Sequence, residues 1–181
     1  MEDVDMEIGF IGVGYMGRHM ARNLINGGHN LKIFDIRKEA ANELLQLGAT
    51  WADNPRQAAQ DTEITFMSLP TPKDVADVAL GEGGIIEGIN PSSTIFDLST
   101  TSIEIINQIS DAARKKGISF LDAPVSGGTE GANKGTLCVM VGGSEEIFQK
   151  YRETLELIGD KVMYCGDIGS GSICKIVNNI Y

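Results

Sequence analysis

The sequence predicts an α/β fold: a doubly wound, mostly parallel sheet with helices on both faces. Three observations predict it. Short apolar runs alternate with helical patterns along the whole chain, the mark of βαβ units joined by right-handed crossovers. Between the first run and the first helix stands Gly12-Val13-Gly14-Tyr15-Met16-Gly17, a spacing that lets backbone approach a pyrophosphate. The second run closes on Asp35, roughly 20 residues on, where such a site needs an acid. The expected architecture is therefore Rossmann-like.

Residues 8–13 form the first buried strand, followed by an amphipathic helix to about Asn26. Residues 31–34 make the next strand, and a helix over 38–47 stops at Gly48, a residue suited to the left-handed C-terminal position. A short helix is expected over 54–61. Residues 64–67 are a strand, closed by the turn Leu69-Pro70-Thr71-Pro72, and a helix starts at Pro72 because proline is favoured in a first turn. A strand over 94–97 precedes a helix that Ser99 to Ser102 cap and that runs to Lys116. Further strands fall at 118–121, 137–141 and 162–165, with a helix over 145–157 between the last two.

From Gly169 onward Ile173, Ile176, Val177 and Ile180 recur at i, i+3, i+4 and i+7, one apolar stripe of a helix. No glycine or asparagine cap, basic last turn or proline follows it. The expected organisation is a flexible lead-in over 1–6, a dinucleotide-binding domain over 7–168, and over 169–181 the start of a long interdomain helix.

Composition narrows the partners. The 181 residues suit one domain with a single substantial core. Hydrophobic residues are 42% and charged ones 22%, the balance of a soluble globule and not of a disordered chain. A net charge of -10 argues against nucleic acid and anionic membrane. No apolar segment approaches the ~20 residues that cross a bilayer, and the first residues lack a signal-peptide pattern. Cys138, Cys165 and Cys174 are an odd set without CxxC spacing, which points to reduced thiols in a cytoplasmic setting and to no metal site. For His19 and His29 plain structural roles are expected, and Trp51 is expected to pack at the edge of the second unit.

Three motifs carry chemistry. In the first, Gly12 permits a tight turn, Gly14 a close backbone approach and Gly17 tight helix–strand packing, while free N–H groups and the helix dipole face an anion. Asp35 would accept hydrogen bonds from ribose hydroxyls and repel a 2′-phosphate, favouring NAD. Arg37 and Lys38 stand near enough to meet a phosphate, so NADP stays possible. The second motif, Asp122-Ala-Pro-Val-Ser126-Gly127-Gly128, can turn one hydroxyl and several N–H groups toward a carboxylate; a mere tight turn has the same composition. The third places Lys175 and Asn179 four residues apart on one helix face, with Asn178 close by. A lysine beside an apolar stripe is also what a snorkelling surface residue looks like.

Together these segments resemble the β-hydroxyacid dehydrogenase family, which includes 3-hydroxyisobutyrate dehydrogenase and tartronate semialdehyde reductase, with 6-phosphogluconate dehydrogenase more distant. The resemblance rests on the stretch from Gly9 to Gly17, on Asp97-Leu-Ser-Thr100 and on the motif from Asp122 to Gly128. It continues through the segment from Gly135 to Gly143 and the one from Gly169 to Asn179. It implies that Gly12, Val13, Gly14, Tyr15, Met16 and Gly17 hold the pyrophosphate, and Asp35, Ile36 and Arg37 the adenosine ribose. Leu69 and Pro70 would line the cofactor groove, with Ser99 and Thr100 near the nicotinamide ribose. Ser126, Gly127 and Gly128 would grip the substrate carboxylate, Lys175 would be the general acid/base, and Asn179 would hydrogen-bond the reacting substrate.

The implied reaction is NAD(P)-dependent oxidation of a small 3-hydroxy acid, 3-hydroxyisobutyrate-like, to a semialdehyde. The family's second half is all-helical, begins near Gly169, closes the cleft and often mediates dimers. A homo-oligomer through that domain is expected, and this chain alone is expected to bind cofactor with little turnover. The alternative is a non-catalytic nucleotide-binding or sensor module, which has no chemical need to keep Lys175, Asn179 and Ser126 together.

Overall fold

The computed structural model describes residues 5–180. The first βαβ unit is β1 (Glu7–Ile11), α1 (Gly17–Asn26) and β2 (Asn30–Phe34). Strand β1 ends two residues before Val13 because Gly12 turns the chain at φ +90°. A 3₁₀ turn over Lys38–Ala41 runs into α2 (Asn42–Gln46), so the helix expected over 38–47 is divided, with the tighter geometry common at helix starts. Then come β3 (Thr50–Trp51), α3 (Pro55–Ala59), β4 (Ile64–Met67), α4 (Pro72–Leu80), α5 (Ile85–Gly88) and β5 (Thr94–Asp97). Helix α6 (Ile103–Lys115) leads to β6 (Ser119–Asp122), β7 (Val125–Ser126) and α7 (Gly128–Lys134). The chain closes through β8 (Cys138–Gly142), α8 (Glu145–Glu156), β9 (Lys161–Gly166) and α9 (Ser170–Ile180).

Helix starts follow the local chemistry. Side chains of Asn54, Thr71, Ser102 and Ser144 accept N–H bonds from Gln57, Asp74, Ile105 and Ile147, each meeting one orphan donor of a first turn. Pro55 and Pro72 follow two of these caps, where proline's missing N–H does no harm.

The strand order is β3-β2-β1-β4-β5-β6-β8-β7, with β9 added on β8. Pairing is parallel from β3 to β6; β8 runs antiparallel to β6 and β7, and β9 parallel to β8. Every residue of β4 and β5 is buried, as strands covered on both faces require. In register across three strands lie Phe10, Phe66 and Phe96, with ring centroids 5.9 and 5.5 Å apart. One face of the sheet packs them with Met20, Leu24, Phe148 and Leu155 from α1 and α8. The other face packs Ile95 against Val75, Ile85, Ile106 and Ile109 from α4, α5 and α6.

The lead-in expected over 1–6 falls partly outside the described residues. Met6 itself is tied down: its carbonyl accepts the Asn30 N–H at 3.0 Å and its side chain packs on the core. Trp51 sits in the edge strand β3, beside the Phe34 ring and under Lys38. His19 lies at the α1 surface among Arg18, Arg22 and Glu43; burial, then the two arginines, lower its pKa. All three cysteines are free thiols, and among the described residues no helix is long and apolar enough to cross a membrane.

Candidate active site

Parallel strands place their C-terminal ends along one edge, and β1 and β4 are neighbours whose chains leave in opposite directions. That crevice is where open α/β sheets bind ligands. A 680 Å³ cavity occupies it. Gly12, Gly14, Tyr15, Met16 and Gly17 line one side. Asp35, Ile36 and Arg37 lie after β2, with Leu69 and Pro70 after β4. Asp74, Asp77 and Val78 of α4, which the sequence reading did not single out, complete the wall. Ile36 and Tyr15 are 91% and 73% exposed at the cavity mouth, with the Arg18 guanidinium 5.9 Å from the Tyr15 ring centroid.

The glycines show why the loop takes this form. At Gly17 a Cβ would stand 1.8 Å from the Gly12 carbonyl oxygen, so only glycine lets α1 start there. At Gly14 the nearest protein atom to such a Cβ is Arg37 Nη2 at 3.7 Å, so the space beside that backbone is free of protein. Asp35 pins the loop: its carboxylate accepts the Val13 N–H at 3.0 Å and the Arg37 N–H at 2.9 Å, one on each oxygen. Val13 is itself fully buried and borders a second cavity, of 280 Å³, with Arg18 and Arg37.

Ser99 and Thr100 follow β5. Ser99 is buried and its Oγ accepts the Leu69 N–H at 2.9 Å, joining the loops after β4 and β5; Thr100 is exposed. Behind them is a residue that sequence reasoning missed. Asp97 is 1% exposed, accepting the Ser99 N–H at 3.0 Å and the Thr101 hydroxyl at 2.6 Å. Burial pushes its pKa from 3.8 up to about 6, against the pull of the Thr101 and Ser99 bonds and with a further push from Asp122. Between those two pH values the native state keeps a proton that the unfolded chain has released. The contribution to stability is therefore full below pH 3.8 and is lost as pH rises through about 6. It amounts to about 3 kcal/mol. In Asp97→Asn the amide oxygen still accepts the Ser99 N–H and the amide NH2 donates to the Thr101 hydroxyl, now the acceptor, with no titrating charge. That decline should therefore vanish from unfolding curves taken between pH 4 and 7.5. Identical pH slopes in the two proteins would refute this.

Next along the edge, Ser126 ends β7. Gly127 and Gly128 take φ +135° and +64°, but Gly128 already opens α7, so the expected loop is a strand end running straight into a helix. The reason is that Thr129 to Lys134 continue helically, which a glycine pair hides. Helix α9 crosses this point. Asn178 Nδ2 donates to Ser126 Oγ at 3.1 Å. Lys175, half-buried, lies one turn before it; Asn179 is exposed. The structure thus joins α9 to Ser126 through Asn178, and Lys175 stands three residues before that contact on the same helix face.

Asp122, also missed, lies in register with Asp97 across β5 and β6. Its two oxygens accept the Gly169 and Ser172 N–H groups, each at 2.7 Å. Burial raises its pKa and those bonds oppose the rise. The signal available in the sequence was positional: Asp35, Asp97 and Asp122 each close a strand.

Similarity to known proteins follows the same geography. The family described as the NAD binding domain of 6-phosphogluconate dehydrogenase matches residues 7–166. A Dictyostelium discoideum protein named as a probable mitochondrial 3-hydroxyisobutyrate dehydrogenase is 41% identical over 173 residues, 96% of this chain and 54% of its own. The Escherichia coli K12 2-hydroxy-3-oxopropionate reductase is 39% identical over 175 residues, 97% of this chain and 60% of its own. A solved structure of Mycobacterium tuberculosis 3-hydroxyisobutyrate dehydrogenase with L-serine superposes with a TM-score of 0.91 at 32% identity, covering 98% of this chain and 60% of that one. The chain spans about half the length of the curated relatives it matches.

Proposed function

This chain belongs to the β-hydroxyacid dehydrogenase family through its NAD-binding domain, and on that premise we propose that it serves hydride transfer between NAD and a small 3-hydroxy acid resembling 3-hydroxyisobutyrate. The observation that carries the proposal is the hydrogen bond from Asn178 of α9 to Ser126, three residues from Lys175 on the same helix face, in a fold that also builds the glycine-loop cavity.

The cofactor fits what is present. The open space beside Gly14, the 680 Å³ cavity and the N–H groups at the start of α1 suit a pyrophosphate. Asp35 is oriented by two backbone N–H bonds and keeps lone pairs free for ribose hydroxyls. NAD, when bound, supplies the hydride acceptor. Ser126 hydrogen-bonds the substrate carboxylate at the end of β7, and the Gly127–Gly128 backbone closes around it. Lys175 takes the hydroxyl proton as the carbon–hydrogen bond breaks, which yields the semialdehyde. Asn179, on the same helix, is assigned to the reacting end of the substrate.

Turnover is proposed for a full-length enzyme carrying this domain, since the relatives are nearly twice as long. The 181-residue chain alone is assigned cofactor binding with little turnover. Ile173, Ile176, Val177 and Ile180 are each at least half exposed, and we assign that face of α9 to helical structure through which a homo-oligomer forms. A cytoplasmic location is proposed on the free thiols and the acidic charge.

Titrating the chain with NADH and NADPH, followed by fluorescence, tests the reading. NADH is expected to bind at least about tenfold tighter, because the Asp35 carboxylate repels a 2′-phosphate. Tighter NADPH binding would shift the assignment to Arg37 and Lys38. Binding of neither would sink it.

A further inference from the structure

We propose that Asp122 is a positioning residue for Lys175, fixing the first turn of α9 so that the lysine stands at a set place relative to Ser126. The inference rests on the functional reading of Lys175.

Helices α3, α4, α6 and α8 are capped by a residue of their own sequence. Helix α9 has no acidic side chain in its first turn. Its N-terminal amides are met instead from strand β6, by a carboxylate 47 and 50 residues away in the chain. Both bonds are charge-assisted and align a negative group with the positive end of the helix. Asp122 is 1% exposed, and the groups its carboxylate meets are backbone amides of α9 and of the turn before it. Two glycines shape the space around it. A Cβ at Gly142 would stand 2.5 Å from Oδ1, and one at Gly171 would stand 3.0 Å from Oδ2 and 2.2 Å from the Met140 carbonyl.

The same segment grips the helix again. Four residues beyond Asp122, Ser126 Oγ accepts the Asn178 amide. Ser172, Lys175 and Asn178 succeed one another at i, i+3 and i+6, neighbours on one face. The stretch from Asp122 to Ser126 therefore holds α9 one turn before Lys175 and one turn after it. A capping interaction needed only for stability could come from a neutral neighbour, as it does in α3, α4, α6 and α8. A buried charge that also carries the substrate-binding serine on its own short segment sets a distance between proton acceptor and carboxylate site.

The test uses Asp122→Ala and Asp122→Asn, with Lys175→Ala as reference, in a full-length enzyme carrying this domain. Asp122→Ala is expected to lower kcat about a hundredfold, the effect of a misplaced reacting group. Asp122→Asn retains one acceptor and should lose about tenfold. Both should leave the KM for NAD and the affinity for NADH unchanged. If Asp122→Ala does not fold, the isosteric Asp122→Asn carries the test. Normal kcat in a folded variant overturns the proposal, and so does a parallel loss of kcat and NADH binding, which is what mere destabilisation would give. Retained turnover in Lys175→Ala would overturn the functional reading instead, so the two failures are distinct.

Discussion

Lys175→Ala is expected to lower turnover about a thousandfold while NADH binding stays intact. The magnitude is that of a lost general acid/base. Lys175 does not border the 680 Å³ cavity, so removing its amine leaves the groove walls in place. It is half-buried on α9, one turn from the Asn178 that contacts Ser126. Arginine in its place would keep the charge but, being always protonated in proteins, could not act as a base, so Lys175→Arg should be as inactive as the alanine variant. Steady-state kinetics on a full-length enzyme, paired with an NADH titration, read both halves. Near-normal turnover in either variant would end the assignment of Lys175.

What the sequence could reveal follows from where each signal resides. The cofactor groove was legible because its parts are local: three glycines at fixed spacing, an acid closing the next strand, and prolines that stop β4 and start α4. Strands β4 and β5 match the expected bounds residue for residue, since each is a short run rich in β-branched and aromatic residues between turn segments. Elements β3, β7, α5 and α7 were not legible. They hold two to seven residues, too few for either hydrophobic period to be counted. The antiparallel run of β8 was hidden too, because alternation does not encode direction. Asp97 and Asp122 resemble Asp35 in sequence, each an acid at a strand end. They differ in what packs over them, a property that only the assembled sheet and α9 create. Asn178 and Asn179 show the same limit within one helix. Neighbours differ by about 100° around the axis, and the choice between them rests on how α9 docks.

Gly14→Ala and Gly12→Ala are expected to separate cofactor binding from folding. An added Cβ at Gly14 meets no protein atom nearer than 3.7 Å, and its backbone is not in the left-handed region. Stability should hold or rise by up to about 1 kcal/mol, as when glycine gives way to alanine at a compatible position. The methyl would nevertheless occupy the space through which a pyrophosphate approaches the backbone amides. Losing charge-assisted bonds there should weaken NADH binding about a hundredfold. Gly12 behaves oppositely. Its φ is +90°, and a Cβ would stand 2.2 Å from the Ser68 carbonyl oxygen, which belongs to the backbone and cannot swing aside. Backbone strain and overpacking together should destabilise Gly12→Ala by about 3 kcal/mol, and binding should fall with the fold. Urea unfolding and NADH titration of the two variants decide the matter. If Gly14→Ala binds NADH normally, the pyrophosphate does not lie against this loop, because no ligand could approach that backbone and ignore the methyl group.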